Sequence, residues 1–119
     1  MRRLLATVLL VSLVGCASNQ PAMDTWLSGV WRPTLRMIPV PSEVTPQACE
    51  DVLGQLRERA SSVRPAPFPE LGDAAEAWLR AAETLMFDCA ADRPDFDYQQ
   101  RYSHLAALAE EVDAVIRER

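Results

Sequence analysis

Hydrophobic side chains recur every three to four positions between Leu71 and Cys89, the spacing that places them on one face of an α-helix. Proline precedes this stripe at Pro69 and follows it at Pro94, and proline is tolerated in the first turn of a helix but not in its interior. The pattern therefore predicts one long amphipathic helix over residues 69–92. The stripe consists of Leu71, Ala75, Trp78, Leu79, Ala82, Leu85, Met86 and Cys89.

Two shorter stripes flank this helix and predict two more. One follows Thr45-Pro46, a capping hydroxyl and then a proline at the first helical position, and predicts a helix over residues 46–63. The other follows Asp95 and Asp97, either of which could cap a helix over residues 96–118. Residues 45–119 are therefore predicted to form an all-α domain, a small antiparallel up-down-up three-helix bundle. The stripes are Cys49, Val52, Leu53, Leu56, Ala60 and Val63, then Tyr98, Tyr102, Leu105, Ala109, Val112 and Ile116.

The first sixteen residues have the pattern of an export signal. A basic start, Met1-Arg2-Arg3, precedes a mostly apolar run from Leu4 to Val14, which is shorter than the ~20 residues needed to span a bilayer. The run ends in Leu13-Val14-Gly15-Cys16, which resembles the lipobox of bacterial lipoproteins. That resemblance implies a signal peptide over residues 1–15, cleavage before Cys16 and attachment of membrane lipid to the Cys16 sulfur. The alternative is an ordinary signal peptide followed by a coincidental cysteine.

A lipoprotein of this kind would be anchored in the cell envelope on the extracytoplasmic side, in the outer membrane if the host has one and otherwise in the plasma membrane. Disulfides persist in such oxidising compartments. With Cys16 lipidated, Cys49 and Cys89 remain as a pair, and they are predicted to form a disulfide between the first two helices. Two free thiols or a metal site are the alternatives, but a zinc site needs four ligands and His104 is the only histidine.

Residues 16–44 are predicted to form a lipid-anchored tether and then a segment that contains Trp26 and Trp31. Gly29 and Pro33 argue against a long helix there, so at most a short helix ending near Trp31 is expected. The two indoles could pack on the open side of the bundle, lie in the membrane interface or contact a ligand or partner. Packing on the bundle is the leading prediction of the three, because three small helices leave apolar surface uncovered.

Charge and topology together predict an acidic end of the bundle. The whole chain has a net charge of −5, and removal of Arg2 and Arg3 with the leader leaves ten basic against seventeen acidic residues, a net charge of −7. Such a surface disfavours nucleic acid as a partner. In the bundle, the start of the first helix, the end of the second and the start of the third meet, and we name their carboxylates the acidic pole: Glu50, Asp51, Asp88, Asp92, Asp95 and Asp97.

The acidic pole could bind a basic protein partner or a cation, or consist only of solvated helix caps. Its last three acids lack the glycine and distal glutamate of a calcium loop. No catalytic constellation, cofactor motif or metal site is recognised, and His104 lacks partners for general-base chemistry. The leading hypothesis is a non-enzymatic envelope lipoprotein that binds or scaffolds another envelope component. The alternative is a small-ligand binder with a groove between the bundle and the Trp26/Trp31 segment.

Overall fold

The computed structural model describes residues 20–119. The predicted signal peptide, the lipobox and Cys16 lie outside the described residues. Within them the chain is helical and contains no strand, so the all-α prediction is confirmed for this part of the chain. None of the described helices combines the length and apolar composition needed to cross a membrane. Residues 20–119 form four helices rather than the predicted three, because the Trp-containing segment is itself helical.

Helix α1 covers residues 23–35 and changes its winding twice. An α-helical turn at Met23–Trp26 leads into a π-helical turn at Leu27–Trp31, and a second α-helical turn follows at Arg32–Leu35. The prediction that proline would end this helix near Trp31 was therefore wrong. Pro33 falls at the start of the second α-helical turn, directly after the π-helical turn, and the helix continues through it to Leu35.

Helix α2 spans Pro46–Arg59 and continues as a 3₁₀ turn at Ala60–Ser62, close to the predicted end at residue 63. The hydroxyl of Thr45 caps it by accepting a hydrogen bond from the Ala48 N–H at 3.1 Å. The sequence predicts that Leu56 and Ala60 both face the second helix. Leu56 is fully buried, but Ala60 is exposed, because the tighter 3₁₀ turn rotates it away from the interface.

Helix α3 spans Pro69–Ala90 and α4 spans Tyr98–Arg117, each within two residues of the predicted bounds. The chain leaves α3 through Asp92, which has a positive φ of 52°. Of the two predicted caps for α4, Asp97 is the one used, since its carboxylate accepts a hydrogen bond from the Gln100 N–H at 3.1 Å. This explains why α4 begins at Tyr98 rather than at residue 96.

The predicted disulfide joins Cys49 near the start of α2 to Cys89 near the end of α3, with 5.9 Å between their Cα atoms. The two helices are therefore antiparallel, and the fully buried Leu56, Ala75 and Ala82 lie on their facing stripes. The connection after α2 returns at the far end of the molecule. We name that end, made of residues 60–69 and the last turn of α4, the connector pole. There Arg119 lies over the Phe68 ring, with its guanidinium carbon 4.1 Å from the ring centre.

Helix α1 starts at the connector pole and runs toward the acidic pole. At its start the Trp26 indole N–H donates to the Val63 carbonyl at 3.1 Å. Beyond its end the Pro39 carbonyl accepts a hydrogen bond from the Tyr98 hydroxyl at 2.6 Å. The four helices thus alternate in direction. Their shared core consists of the disulfide and the buried side chains Trp26, Trp31, Ile38, Leu53, Leu56, Val63, Ala66, Phe68, Leu71, Ala75, Trp78, Leu79, Ala82, Leu85, Met86, Tyr98, Leu105 and Val112.

Candidate functional site

The six carboxylates of the acidic pole lie where three helix ends meet. Glu50 and Asp51 belong to the first turns of α2, Asp88 to the last turn of α3, and the others to the turn that leads into α4. The disulfide holds the start of α2, with Glu50 and Asp51, beside the end of α3, with Asp88. A connection of only seven residues, 91–97, brings the start of α4 to the same place.

Three of these carboxylates already have partners within the fold. Asp88, which is largely covered, forms an ion pair with Arg101 at 3.1 Å. Asp97 caps α4, and Asp51 accepts a hydrogen bond from the Gln47 side chain at 3.2 Å. Glu50, Asp92 and Asp95 remain, all exposed and without an ion pair among residues 20–119. Three of the six predicted carboxylates therefore have no ion-pair or hydrogen-bond partner among the described residues.

A shallow depression of about 280 Å³ lies between the end of α3 and the start of α4. Two arginines enter it together with the carboxylates, and Arg101 also lies 5.5 Å from the centre of the Phe96 ring. Within residues 20–119, no three His, Cys, Asp or Glu side chains are placed to hold a metal ion together. The depression is thus mixed in charge. Its lining is Asp88, Arg93, Asp95, Phe96, Asp97, Gln100 and Arg101.

Tyr98 fixes one side of the acidic pole. Its ring centre lies 6.1 Å from that of Phe96 and 6.0 Å from that of Tyr102, and its hydroxyl donates a hydrogen bond to the Pro39 carbonyl. Burial, which disfavours the charged phenolate, raises the pKa of Tyr98 to about 12, and Tyr102 adds to the effect. The hydroxyl therefore stays protonated and keeps donating to the loop that follows α1.

Two large apolar side chains are exposed in the described structure, and both lie at this end. Phe87, which is 52% exposed, directly precedes Asp88 on α3. Val40, which is 42% exposed, directly follows the residue that binds Tyr98. Neither was singled out in the sequence. Phe87 could have been found, because a phenylalanine one position beyond Met86 falls outside the hydrophobic stripe of α3.

Trp26 and Trp31 are core residues in this structure. They are only 1% and 3% exposed, their rings stack with centres 6.0 Å apart, and Trp31 meets the ring of Trp78 edge to face at 5.2 Å. Their packing against the bundle is what the structure shows. The membrane-interface and ligand-contact alternatives each require an exposed indole, and neither residue has one. Within residues 20–119 the Trp31 indole N–H has no hydrogen-bond partner, and the rings that contact Trp31 are those of Trp26 and Trp78.

An apolar groove of about 280 Å³ does lie between the Trp-containing segment and the bundle, but farther along the chain than predicted. Leu35 and Ile38 form one wall, and residues of α4 form the other. Trp78 is the tryptophan that lines it, and Glu110 is the charged residue at its edge. The remaining lining residues are Tyr102, Leu105, Ala106 and Ala109.

A separate charged cluster closes the connection between α2 and α3. Arg64 pairs with both Asp73 and Glu76, and Arg80 also bonds to Glu76 at 2.9 Å. The hydrogen bond from Arg64 is the main cause that lowers the pKa of Glu76. Arg64 therefore holds the connection to α3, while Arg80 pairs with Glu76 within α3, so this cluster is structural. His104 is exposed and forms no side-chain hydrogen bond among the described residues, which leaves it without a general-base partner.

Two surfaces therefore remain as candidate sites, the acidic pole with its exposed Phe87 and the apolar groove beside α4. Comparison with protein-family models, with curated proteins and with solved structures finds no match to this chain.

Proposed function

We propose that this chain is a membrane-anchored extracytoplasmic lipoprotein, without enzymatic activity, that binds or scaffolds another component of the cell envelope. Lipid on Cys16 would hold it to the membrane, and the acidic pole would contact a basic protein partner. The observation that carries the second part is that the exposed Phe87 lies at the same end of the bundle as Glu50, Asp92 and Asp95, which form no ion pair among residues 20–119. An apolar centre with a charged rim is the composition of many protein-binding surfaces.

The lipid anchor is tested separately from the partner. Intact-mass analysis of the mature protein should find that residue 16 is the first residue and carries fatty acyl chains. Cys16→Ser should be recovered in the soluble fraction, while the wild type sediments with membranes. A wild-type protein that keeps its leader or bears no lipid would contradict the proposal.

The partner surface is tested by removing charge without disturbing the fold. The double variant Asp92→Asn, Asp95→Asn removes two exposed carboxylates, and asparagine tolerates the positive φ at position 92. In crosslinking of the lipidated protein in its own membrane, we expect the partner adduct to fall by roughly tenfold, which corresponds to ~1.4 kcal/mol. The matched control is Glu111→Gln, Asp113→Asn, which removes two exposed carboxylates from α4. Equal adduct from both double variants would rule out the acidic pole.

Phe87 provides a second readout on the same surface. Phe87→Ala should raise the dissociation rate of the purified complex. An aromatic side chain that becomes buried at the interface mainly lengthens the lifetime of the complex. The asparagine variants should instead lower the association rate and its dependence on salt, since peripheral charges act by steering the encounter. The two rates can be separated by surface-based binding kinetics at two salt concentrations.

The groove beside α4 supports a second candidate, a small-ligand-binding lipoprotein. Its volume is at the lower limit of small-molecule sites, and its walls suit an apolar ligand. Ala106→Phe should fill the groove and weaken binding of the apolar dye Nile red by roughly tenfold or more, equivalent to ~1.4 kcal/mol. The control is Ala107→Phe, at an exposed position that does not line the groove. Unchanged dye affinity in Ala106→Phe would exclude the groove as the site.

A further inference from the structure

We infer that the anchored domain stands on its connector pole, with that pole against the lipid surface and the acidic pole directed away from it. The inference rests on the proposed lipid anchor at Cys16 and adds an orientation and a lipid-contacting surface to it. It has two independent supports, the position of Gln20 in the fold and the distribution of charge between the two ends.

Gln20 places the start of the described chain at the connector pole. It borders one depression together with Arg64, Pro65 and Phe68, and a second with Trp26 and Ser62. Four residue steps separate Cys16 from Gln20, and whatever their conformation they reach at most about 14 Å. The connector pole must therefore stay close to the membrane that holds the lipid.

The acidic pole lies at the other end of α3. This helix has 22 residues, which corresponds to about 33 Å at 1.5 Å per residue. The tether is much shorter than this distance. The acidic pole could thus touch the bilayer only if the whole domain lay on its side.

Charge favours the upright orientation over the flat one. The acidic pole has six acids and two arginines, Arg93 and Arg101, whereas the connector pole has three arginines, Arg64, Arg117 and Arg119, and one acid, Glu118. A bilayer with anionic headgroups repels the first group and not the second, and this repulsion acts only within about 10 Å of the surface. Standing upright removes the acidic pole from that range.

Energy transfer to the membrane surface tests this orientation. Single cysteines would replace Ser61 at the connector pole, Ala107 midway along α4 and Gln99 at the acidic pole, all of them exposed and uncharged. Each lipidated variant would carry a donor dye and be reconstituted into vesicles of phosphatidylethanolamine and phosphatidylglycerol with a headgroup acceptor. Intact mass would verify that the native disulfide is retained.

We expect transfer to be highest from position 61, intermediate from 107 and lowest from 99, with a loss of more than about half between the extremes because about 30 Å of helix separates them. Equal transfer from the three positions would mean that the domain lies flat and would overturn the inference, as would the reverse order. Such a result on an acylated protein leaves the lipid anchor intact, whereas a protein without lipid on Cys16 overturns both.

A second measurement needs no added cysteine. Hydrogen exchange of the unmodified lipoprotein, compared between vesicles and detergent, should slow in the amides of residues 60–69 and not in those of residues 91–97. Slowing in 91–97 alone, or an equal change in both segments, would contradict the upright orientation.

Discussion

At the scale of single residues, Tyr98 links three parts of the molecule. Its hydroxyl bonds to Pro39 in the loop after α1, its backbone begins α4, and its ring packs beside Phe96 in the turn from α3. The pattern of apolar residues predicts that Tyr98 is buried, because it is the first member of the α4 stripe. It does not predict the partner of the hydroxyl, since that carbonyl lies 59 positions earlier in the chain.

The raised pKa of Tyr98 makes the stability of the fold depend on alkaline pH. The folded state favours the neutral phenol, so its stabilisation is fully present below the ordinary pKa of about 10 and is lost as pH rises toward 12. Tyr98→Phe should lower the free energy of unfolding by about 1 kcal/mol at neutral pH, through the lost hydrogen bond. Tyr98→Phe should also reduce the loss of unfolding free energy between pH 10 and pH 12, which urea denaturation measures. Tyr102→Phe, the control, should keep most of that alkaline loss.

At the scale of elements, α1 is where the sequence and the structure differ most. Gly29 and Pro33 weaken the local preference for helix, although the apolar residues Trp26, Val30 and Trp31 keep helical spacing. What forms the helix is tertiary packing, through the bond from Trp26 to Val63 and the contact of Trp31 with Trp78. These contacts join positions 37 and 47 residues apart. Patterns read along the chain do not reveal such pairs. Helices α2, α3 and α4 each have an apolar stripe of their own, and they begin at local start signals, the caps Thr45 and Asp97 for α2 and α4 and Pro69 for α3.

Two glycines in helices give a matched pair of predictions. A methyl group added at Gly54 on α2 would meet nothing within 4 Å, so Gly54→Ala should stabilise the fold by about 1 kcal/mol through helix propensity alone. A methyl group at Gly72 on α3 would come within 2.7 Å of Arg64, which is held by Asp73 and Glu76. Gly72→Ala should therefore stabilise the fold by less than Gly54→Ala does, or destabilise it. Urea denaturation of both variants measures the difference, and equal gains would show that Arg64 moves without cost.

At the scale of the whole molecule, the disulfide and the acidic pole have a common origin in topology. The disulfide could be predicted because three cysteines with one assigned to lipid leave a pair, and because both fall on helix stripes. The same register predicts that the six acids gather at one end. It does not predict which of them are free, because Arg101, the partner of Asp88, sits on a different helix. The exposed Phe87, which makes this end a candidate binding surface, depends on the final packing of α3.

Removal of the cross-link should cost a large part of the stability. The disulfide closes a loop of 40 residues, for which chain entropy predicts a contribution of about 4 kcal/mol. The double variant Cys49→Ala, Cys89→Ala should therefore unfold at a markedly lower urea concentration than the wild type. Reduction of the wild type should give a similar shift. A large shift in the variant and none on reduction would assign the effect to lost packing instead of the cross-link.

The path of the chain also determines how the domain responds to mechanical force. Tension applied to the segment before Gln20 acts on α1 before it acts on α2, α3 or α4. The first long-range hydrogen bond that it would have to break joins Trp26 to Val63. Detaching α1 would expose its own Trp26 and Trp31 and the Trp78 ring beneath them, while the disulfide would still hold α2 to α3. Under shear or extraction, α1 would therefore detach first, and α2, α3 and α4 would stay folded.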